Sequence, residues 1–299
     1  MENRILTGFG PGVVLADGAW GTQLQSRGLP VGEFPDAWTL THPADVEAVA
    51  RGYVDAGSRV ILTNTFGSNR IRLAEQAGPL VDRVEELNRV GVAISKKAAG
   101  ERAMVFASIG PTGKLLMTGD VTADEVFEAF ADQARALASA GADALLVESM
   151  SDIEEARIAV TAAKATGLLV VASMVYDSGS ARDRTMMGTT PEQDAEALAA
   201  AGADVVGANC GRGIEDFVGV CRRFRAATGL PLWMKANAGL PEWEDGKTVY
   251  RTTPAAFAAH VPALVDAGVR FVGGCCGTTP EFIRAMADRL AASAESSCA

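Results

Sequence analysis

Three of the five cysteines in this chain lie in glycine-containing segments that favour thiol chemistry. Cys210 belongs to the sequence GANCG at 207–211, and Cys275 and Cys276 are adjacent in GGCCG at 273–277. A thiolate is both a metal ligand and a nucleophile, whereas a thiol buried among apolar groups is inert. An odd number of cysteines favours thiols or metal ligands in a reducing compartment over a disulfide framework.

Other polar residues that could bind a ligand or take part in a reaction each follow a short apolar segment. Asp17 and Gly18 follow the first such segment, Glu148 the fourth and Asn237 the seventh. The cysteines follow the sixth and the eighth. These residues converge on one site only if the segments are strands that end at the same edge of a fold.

The apolar segments are short and rich in β-branched residues, which indicates strands buried on both faces. They lie at 13–16, 60–63, 104–107, 144–147, 169–172, 205–208, 232–235 and 271–274. Segments with helical periodicity alternate with them, at 44–56, 71–100, 124–140, 154–166, 191–201, 214–228, 254–267 and 279–293.

Eight alternating units in 299 residues predict an α/β fold, a (β/α)8 TIM barrel. We expect a single domain over 1–299 with its core at about 12–293. The alternative is an open, doubly wound sheet. That fold usually carries a glycine-rich phosphate loop after its first strand, and the sequence from Asp17 onward does not match this fingerprint.

In a TIM barrel all strands end at one mouth, where the active site lies, so the three cysteines should meet there. Three thiolates suit a tetrahedral Zn²⁺ whose fourth position stays open. Cys275 and Cys276 can bind one ion only if the backbone turns between them, and the flanking glycines permit this. The alternatives are buried free thiols and a strained vicinal disulfide. Cys221, in a helix, and Cys298, in the tail, are not expected to be ligands.

A zinc ion with three anionic ligands is a weak activator of water but is suited to holding a substrate thiol as a nucleophilic thiolate. Hydrolysis would also need a general base beside the metal. His42 and His260 are the only histidines; His42 precedes Pro43 at the entry to a predicted helix and His260 falls within one, so neither is a candidate base. The sequence therefore favours thiol chemistry over hydrolysis.

Composition excludes other classes of function. The formal net charge is -10, which disfavours nucleic acid as a partner because phosphate binding requires a basic surface. No apolar segment reaches the roughly 18 residues that a membrane span requires, and the N-terminus lacks the features of a signal peptide. We expect a cytoplasmic protein; the oligomeric state is not indicated.

Five motifs occur in an order that resembles the homocysteine S-methyltransferase family over about 12–290. They are DGAWGT at 17–22, TNTF at 63–66, GANC at 207–210, NAGLP at 237–241 and GGCCG at 273–277. The family includes the betaine–homocysteine methyltransferases and the homocysteine-binding module of methionine synthase. The resemblance is greatest to the bacterial betaine enzymes.

The resemblance implies an enzyme that binds homocysteine through zinc and methylates its thiol to give methionine. It also implies roles for individual residues: Cys210, Cys275 and Cys276 as zinc ligands, Glu148 for the homocysteine ammonium group, Asp17 and Gly18 for placing the amino acid, and Asn237 near the metal.

The methyl donor implied by the resemblance is a small onium compound, with betaine the first choice. Trp38 resembles a donor-site tryptophan of the betaine enzymes, and Trp20 would add a second face for cation–π attraction to the onium methyl groups. Gly67 stands where the animal betaine enzymes have a tyrosine, which disfavours an animal-type donor site. The alternatives are S-methylmethionine or dimethylsulfoniopropionate, methylcobalamin or methylfolate supplied through a separate corrinoid protein, and a homocysteine-binding module without catalysis.

Overall fold

The computed structural model describes residues 4–244 and 246–297, and it confirms the predicted (β/α)8 barrel. Eight parallel strands form one sheet in the order β1-β8-β7-β6-β5-β4-β3-β2, and a parallel bridge between Ala16 and Val60 brings the two edge strands together. The strands are β1 (Val14–Leu15), β2 (Val60–Ile61), β3 (Met104–Ile109), β4 (Ala144–Met150), β5 (Leu169–Met174), β6 (Val205–Cys210), β7 (Leu232–Ala236) and β8 (Phe271–Gly274).

Helices surround this sheet, because each presents one apolar face to the strands. They are α1 (Arg4–Gly8), α2 (Gly21–Gln25), α3 (Trp38–Thr41), α4 (Pro43–Asp55), α5 (Arg70–Gln76), α6 (Val84–Ala99), α7 (Ala123–Ser139), α8 (Ile153–Lys164), α9 (Pro191–Ala200), α10 (Ile214–Ala227), α11 (Pro254–Ala258), α12 (Val261–Asp266) and α13 (Pro280–Ser297). Short 3₁₀ helices occur at Pro35–Ala37, Gly78–Arg83 and Leu116–Thr118.

Two predicted helices are interrupted. The segment 71–100 divides into α5, a 3₁₀ helix and α6, because Gly78 adopts a positive φ of 48° and the following proline has no amide to donate. The segment 254–267 divides into α11 and α12 at His260, with Pro262 in the first turn of α12. His260 therefore lies between two helices rather than within one.

Aromatic side chains fill the interior of the barrel. Phe106 stacks on Trp233 with ring centroids 6.1 Å apart, and Phe271 packs against both. Phe9, which follows α1, meets Phe271 edge to face at 5.6 Å. Because α1 precedes β1, these rings close the amino-terminal end of the barrel and leave only the opposite end open to ligands.

A two-stranded antiparallel hairpin, Glu242–Glu244 paired with Lys247–Val249, projects from the loop after β7. In the part of the chain that the structure describes, no helix has the length and apolar character to cross a membrane.

Candidate active site

The structure brings the three predicted cysteines together at the carboxyl ends of their strands. Cys210 is the last residue of β6, and Cys275 and Cys276 follow the last residue of β8. The sulfur atoms of Cys210 and Cys275 are 3.2 Å apart, and all three sulfur atoms lie within 4.8 Å of one another. Their role as ligands stays a prediction. Cys221 is buried in α10 beside the Ala267 carbonyl, and Cys298 lies outside the described residues.

A backbone turn places both adjacent cysteines on one side. The amide of Thr278 donates to the Cys275 carbonyl at 3.1 Å, and Gly277 takes a positive φ of 80°. Gly273 has a different role from the one expected, because it lies within β8. A side chain there would approach the Asp17 carbonyl to 2.6 Å, so this glycine permits close strand packing rather than a turn.

The donor set fits Zn²⁺. A zinc–sulfur distance of about 2.3 Å and tetrahedral geometry place two sulfur ligands about 3.8 Å apart, and three sulfur atoms that all lie within 4.8 Å of one another are close enough to reach that arrangement. Hydrogen bonds from Cys210 and Cys276, together with the nearby Lys235 ammonium, hold the pKa of Cys275 well below its usual range. One of the three is thus favoured as a thiolate before any cation binds.

Asn209 orients this cluster, and sequence reasoning missed it. Its amide nitrogen donates to Ser149 Oγ at 2.6 Å and lies 3.4 Å from Cys210 Sγ. Its oxygen accepts from the Ser149 amide at 2.8 Å and from Ser173 Oγ at 2.7 Å. Both Ser149 and Cys210 have positive φ values, near 60°, so this fully buried amide holds two residues in an unfavourable backbone conformation.

Asn237 does not line the cavity, and its hydrogen bonds are to the backbone next to Cys210. Its amide nitrogen donates to the Gly211 carbonyl at 2.7 Å, and its backbone amide donates to the Cys210 carbonyl at 3.0 Å. Its Oδ1 is buried and accepts no hydrogen bond within the described residues. The predicted proximity of this side chain to a metal stays a prediction.

A buried ion pair that the sequence did not predict lies beside the cysteines. Lys235, the fourth residue of β7, donates its ammonium group to Asp17 Oδ1. Asp17 Oδ2 accepts from the Leu62 amide and from Trp20 Nε1, each at 2.8 Å. Asp17 is fully buried and Lys235 nearly so, so each charge depends on the other for compensation.

Glu148 faces the same region from the end of β4. Ser108 Oγ donates to its Oε1 at 2.5 Å. Burial raises the pKa of Glu148 to about 7, although the Lys235 ammonium opposes the rise. A buried carboxylate with a single side-chain hydrogen bond can accept a cationic ligand group, because such a group would replace part of its lost hydration.

The cysteines, Lys235 and Glu148 share one cavity of about 400 Å³ at the mouth of the barrel, whereas the buried Asp17 lies beneath its lining. Its lining includes the predicted residues Gly18, Trp20, Glu148, Cys210, Cys275 and Cys276.

Trp38 is not brought to the cavity: it is buried, its ring stacks on His42 at 4.2 Å, and its Nε1 donates to Glu33. Asp36, two residues earlier, lines the cavity instead, with its carboxylate held by the Gly67 amide and Ser68 Oγ at 2.7 Å each.

Two aromatic rings of the cavity wall occupy space that glycines leave free. A side chain at Gly67 would approach the Phe34 ring to 2.7 Å, and one at Gly110 would approach the Phe66 ring to 2.5 Å. Phe34 therefore occupies the space that a larger residue at position 67 would take. With Trp20, these rings give the cavity an apolar surface next to its charged groups.

A sequence model of the homocysteine S-methyltransferase family matches residues 14–290. The chain is 28% identical over 295 residues to the methionine synthases of Mycobacterium tuberculosis (strain ATCC 25618 / H37Rv) and Mycobacterium leprae (strain TN), covering 93% of this chain. It spans about a quarter of those proteins, 25% and 24% of their lengths. The metallated form of the homocysteine methyltransferase MmuM from Escherichia coli is 23% identical, with a TM-score of 0.79 over 96% of this chain and 99% of that one. This structural likeness shows a shared fold.

Proposed function

The chain belongs to the homocysteine S-methyltransferase family, and from this membership we propose that it transfers a methyl group from a small onium donor, betaine first, to the thiol of homocysteine, giving methionine. One observation carries the proposal: three cysteine sulfurs within 4.8 Å of one another share a cavity with a buried carboxylate and a buried ammonium group. That combination offers a site for a thiol beside a site for an amino acid.

We propose Zn²⁺ as the cofactor, held by Cys210, Cys275 and Cys276. When bound, it would lower the pKa of a substrate thiol and present it as a nucleophile. Asn209 keeps the cysteines in place through Ser149 and its own contact with Cys210. We infer a reducing, cytoplasmic environment, because all three ligands must remain thiols or thiolates.

The amino acid part of homocysteine would bind next to the cysteines. Glu148 would accept its ammonium group, which would compensate the charge that burial disfavours. Asp17 is tied to Lys235 and supports the loop at Gly18, where a side chain would approach both Tyr53 and Thr278 to 2.7 Å. The backbone of this loop therefore forms cavity wall directly, and we propose that it positions the substrate.

Methyl transfer would be an in-line displacement. A lone pair of the homocysteine sulfur forms the new bond to the methyl carbon while the carbon–nitrogen bond of the donor breaks and nitrogen keeps its electron pair. The donor leaves as a neutral amine, so no proton moves at this step and no general base is required. The contribution of the protein is to align the two reactants.

A donor screen tests the proposal. Purified protein loaded with Zn²⁺ should form methionine from homocysteine and betaine. Absence of turnover with betaine, dimethylsulfoniopropionate and S-methylmethionine alike would exclude a small onium donor. Full activity after complete removal of zinc, verified by elemental analysis, would exclude the metal-based scheme.

A second candidate is delivery of the methyl group by a separate corrinoid protein. The observation that favours it is the position of exposed apolar side chains: among the described residues, the large ones all lie in segments that connect the carboxyl end of a barrel strand to the helix that follows it. They are Val31, Phe66, Met117, Met186, Met187, Leu240 and Trp243. Such a surface around a cavity can bind another protein. Turnover with methylcobalamin or with methylfolate and a corrinoid protein, but not with onium donors, would establish this candidate.

We also propose that the barrel is a single folding domain that contains all residues of the site. Limited proteolysis should then release no smaller stable fragment. The number of chains in the functional assembly is open to measurement by light scattering.

A further inference from the structure

Arg72 is a cation in the cavity wall that feels the charges of Asp36, Glu75 and Glu155 without contacting any of them. It is the third residue of α5, and it is half-buried. Within the described residues its guanidinium group forms neither an ion pair nor a hydrogen bond. Arg70, on the same helix, pairs with Asp132 of α7.

Two glycines, Gly67 and Gly113, lie next to the Arg72 side chain. The Cγ of Arg72 lies 3.4 Å from where a Cβ of Gly67 would be. Any side chain at Gly113 would coincide with Arg72 Nη1, and Gly113 itself has a positive φ of 81°. The loops after β2 and β3 therefore leave space for this side chain, and Arg72 lines the cavity.

Arg72 and Cys210 lie on opposite sides of the mouth. The arginine follows β2 and Cys210 ends β6, four strands away around the eight-stranded barrel, whereas Cys275 and Cys276 follow β8, two strands from β2. The rings of Trp20, Phe34 and Phe66 line the same cavity. A ligand that spans the cavity would thus meet a guanidinium group on one side, aromatic surface along its length and sulfur on the other side.

We propose that Arg72 binds the carboxylate of a zwitterionic methyl donor and directs its onium methyl group towards the cysteines. This inference rests on the proposed function and adds the donor class: an onium compound that carries a carboxylate. A guanidinium group binds a carboxylate through two parallel hydrogen bonds, which fixes orientation as well as position. The carboxylate takes no part in the reaction and stays on Arg72 while the carbon–nitrogen bond breaks and nitrogen keeps its electron pair.

Two inert probes separate the contributions of the carboxylate and the onium group. In 3,3-dimethylbutanoate, carbon replaces the nitrogen of betaine, so the carboxylate is present and no methyl group can transfer. Choline carries the onium group without the carboxylate. Calorimetric titration of the zinc-loaded protein with each probe measures binding without reference to turnover.

Arg72→Gln should weaken the binding of 3,3-dimethylbutanoate by about tenfold or more, since hydrogen bonds to charged groups contribute about 1.5–3 kcal/mol and about 1.4 kcal/mol corresponds to tenfold. Choline binding should not change, and Arg72→Lys should recover part of the loss. Arg70→Gln is the matched control and should leave both affinities unchanged. In turnover, Arg72→Gln should raise the KM for betaine and leave the KM for homocysteine unchanged.

The inference is overturned if the wild-type protein does not bind 3,3-dimethylbutanoate or if Arg72→Gln binds it with unchanged affinity. It is also overturned if Arg72→Gln raises the KM for homocysteine instead, because the arginine would then serve the acceptor. Failure of the proposed function gives a separate result: no donor is turned over by the wild-type protein, whatever the probe affinities.

Discussion

Lys235→Met removes the cation of the buried pair with Asp17 and should lower the stability of the barrel. Methionine is close to lysine in volume, so the change leaves little empty space in β7. Asp17 would keep its hydrogen bonds from the Leu62 amide and from Trp20 Nε1, but it would lose its only ion-pair partner within the described residues. Glu148 would lose the nearby positive charge that opposes the rise in its pKa.

The expected loss is about 3 kcal/mol in the free energy of unfolding. Removing one partner of a buried ion pair typically costs about 3–5 kcal/mol, because it leaves an uncompensated charge in the interior. The lower end applies because two hydrogen bonds to Asp17 remain and because Lys235 lines the cavity rather than the closed core. Since domains are typically stable by about 5–15 kcal/mol, the variant should still fold.

Urea unfolding followed by circular dichroism and tryptophan fluorescence measures the effect. The double variant Lys235→Met with Asp17→Asn removes both charges and should be more stable than Lys235→Met alone. Lys164→Met is the matched control: its partner Asp204 is 2.8 Å away, but both side chains are partly exposed, so the loss should be at most about 1 kcal/mol. A loss of under about 1 kcal/mol for Lys235→Met, or a double variant no more stable than the single one, would refute the reasoning.

Three further predictions concern the metal, the acceptor and pH. Cys210→Ser should reduce bound zinc, measured by elemental analysis, to well below one ion per chain with unchanged circular dichroism; full retention of zinc would contradict its role as a ligand. Glu148→Gln should weaken homocysteine binding by about tenfold in calorimetry, since the ammonium group loses a charged acceptor, and an unchanged affinity would contradict that role. Burial raises the pKa of Asp36 to about 6 from the model-peptide value of 3.8, so the folded chain takes up this proton before the unfolded chain does. The contribution of Asp36 should therefore increase stability as pH falls from 6 to 4, and Asp36→Asn, compared by urea unfolding at both pH values, should remove that increase.

The barrel and the cysteine cluster followed from sequence because both depend on local patterns. Alternation of short apolar segments with helical periodicity defines the eight units, and residues at strand ends share one mouth whatever the details of packing. Cys210 and Cys275 could therefore be placed together although 65 positions separate them. The helix boundaries were less predictable, since the interruption at Gly78 depends on one backbone conformation.

The charged residues of the cavity were not predictable in the same way. Lys235 ends an apolar strand segment, where a lysine normally reaches solvent, and only the register of β7 shows that it faces Asp17. Arg72 lies on a helix where charged residues are usually solvated, and its neighbours Gly67 and Gly113 come from two other loops. The resemblance at Trp38 identified the right segment, but the short helices there direct Asp36 to the cavity and the indole to His42.

The distribution of charge across the cavity also bears on the choice of donor. The side that holds the cysteines, Glu148 and Asp17 carries a net negative charge even with a divalent cation bound, since Lys235 compensates only one carboxylate. Arg72 places a positive charge on the side formed by the loops after β2 and β3, beside the carboxylate of Asp36. A donor with an onium group and a carboxylate is therefore aligned by the cavity before reaction, whereas an uncharged donor is not. In the proposed reaction, transfer of the methyl group would convert the onium to a neutral amine, so attraction to the cysteine side would be lost as methionine forms. Turnover should therefore favour onium carboxylates over onium compounds without a carboxylate, and this preference should diminish as ionic strength rises.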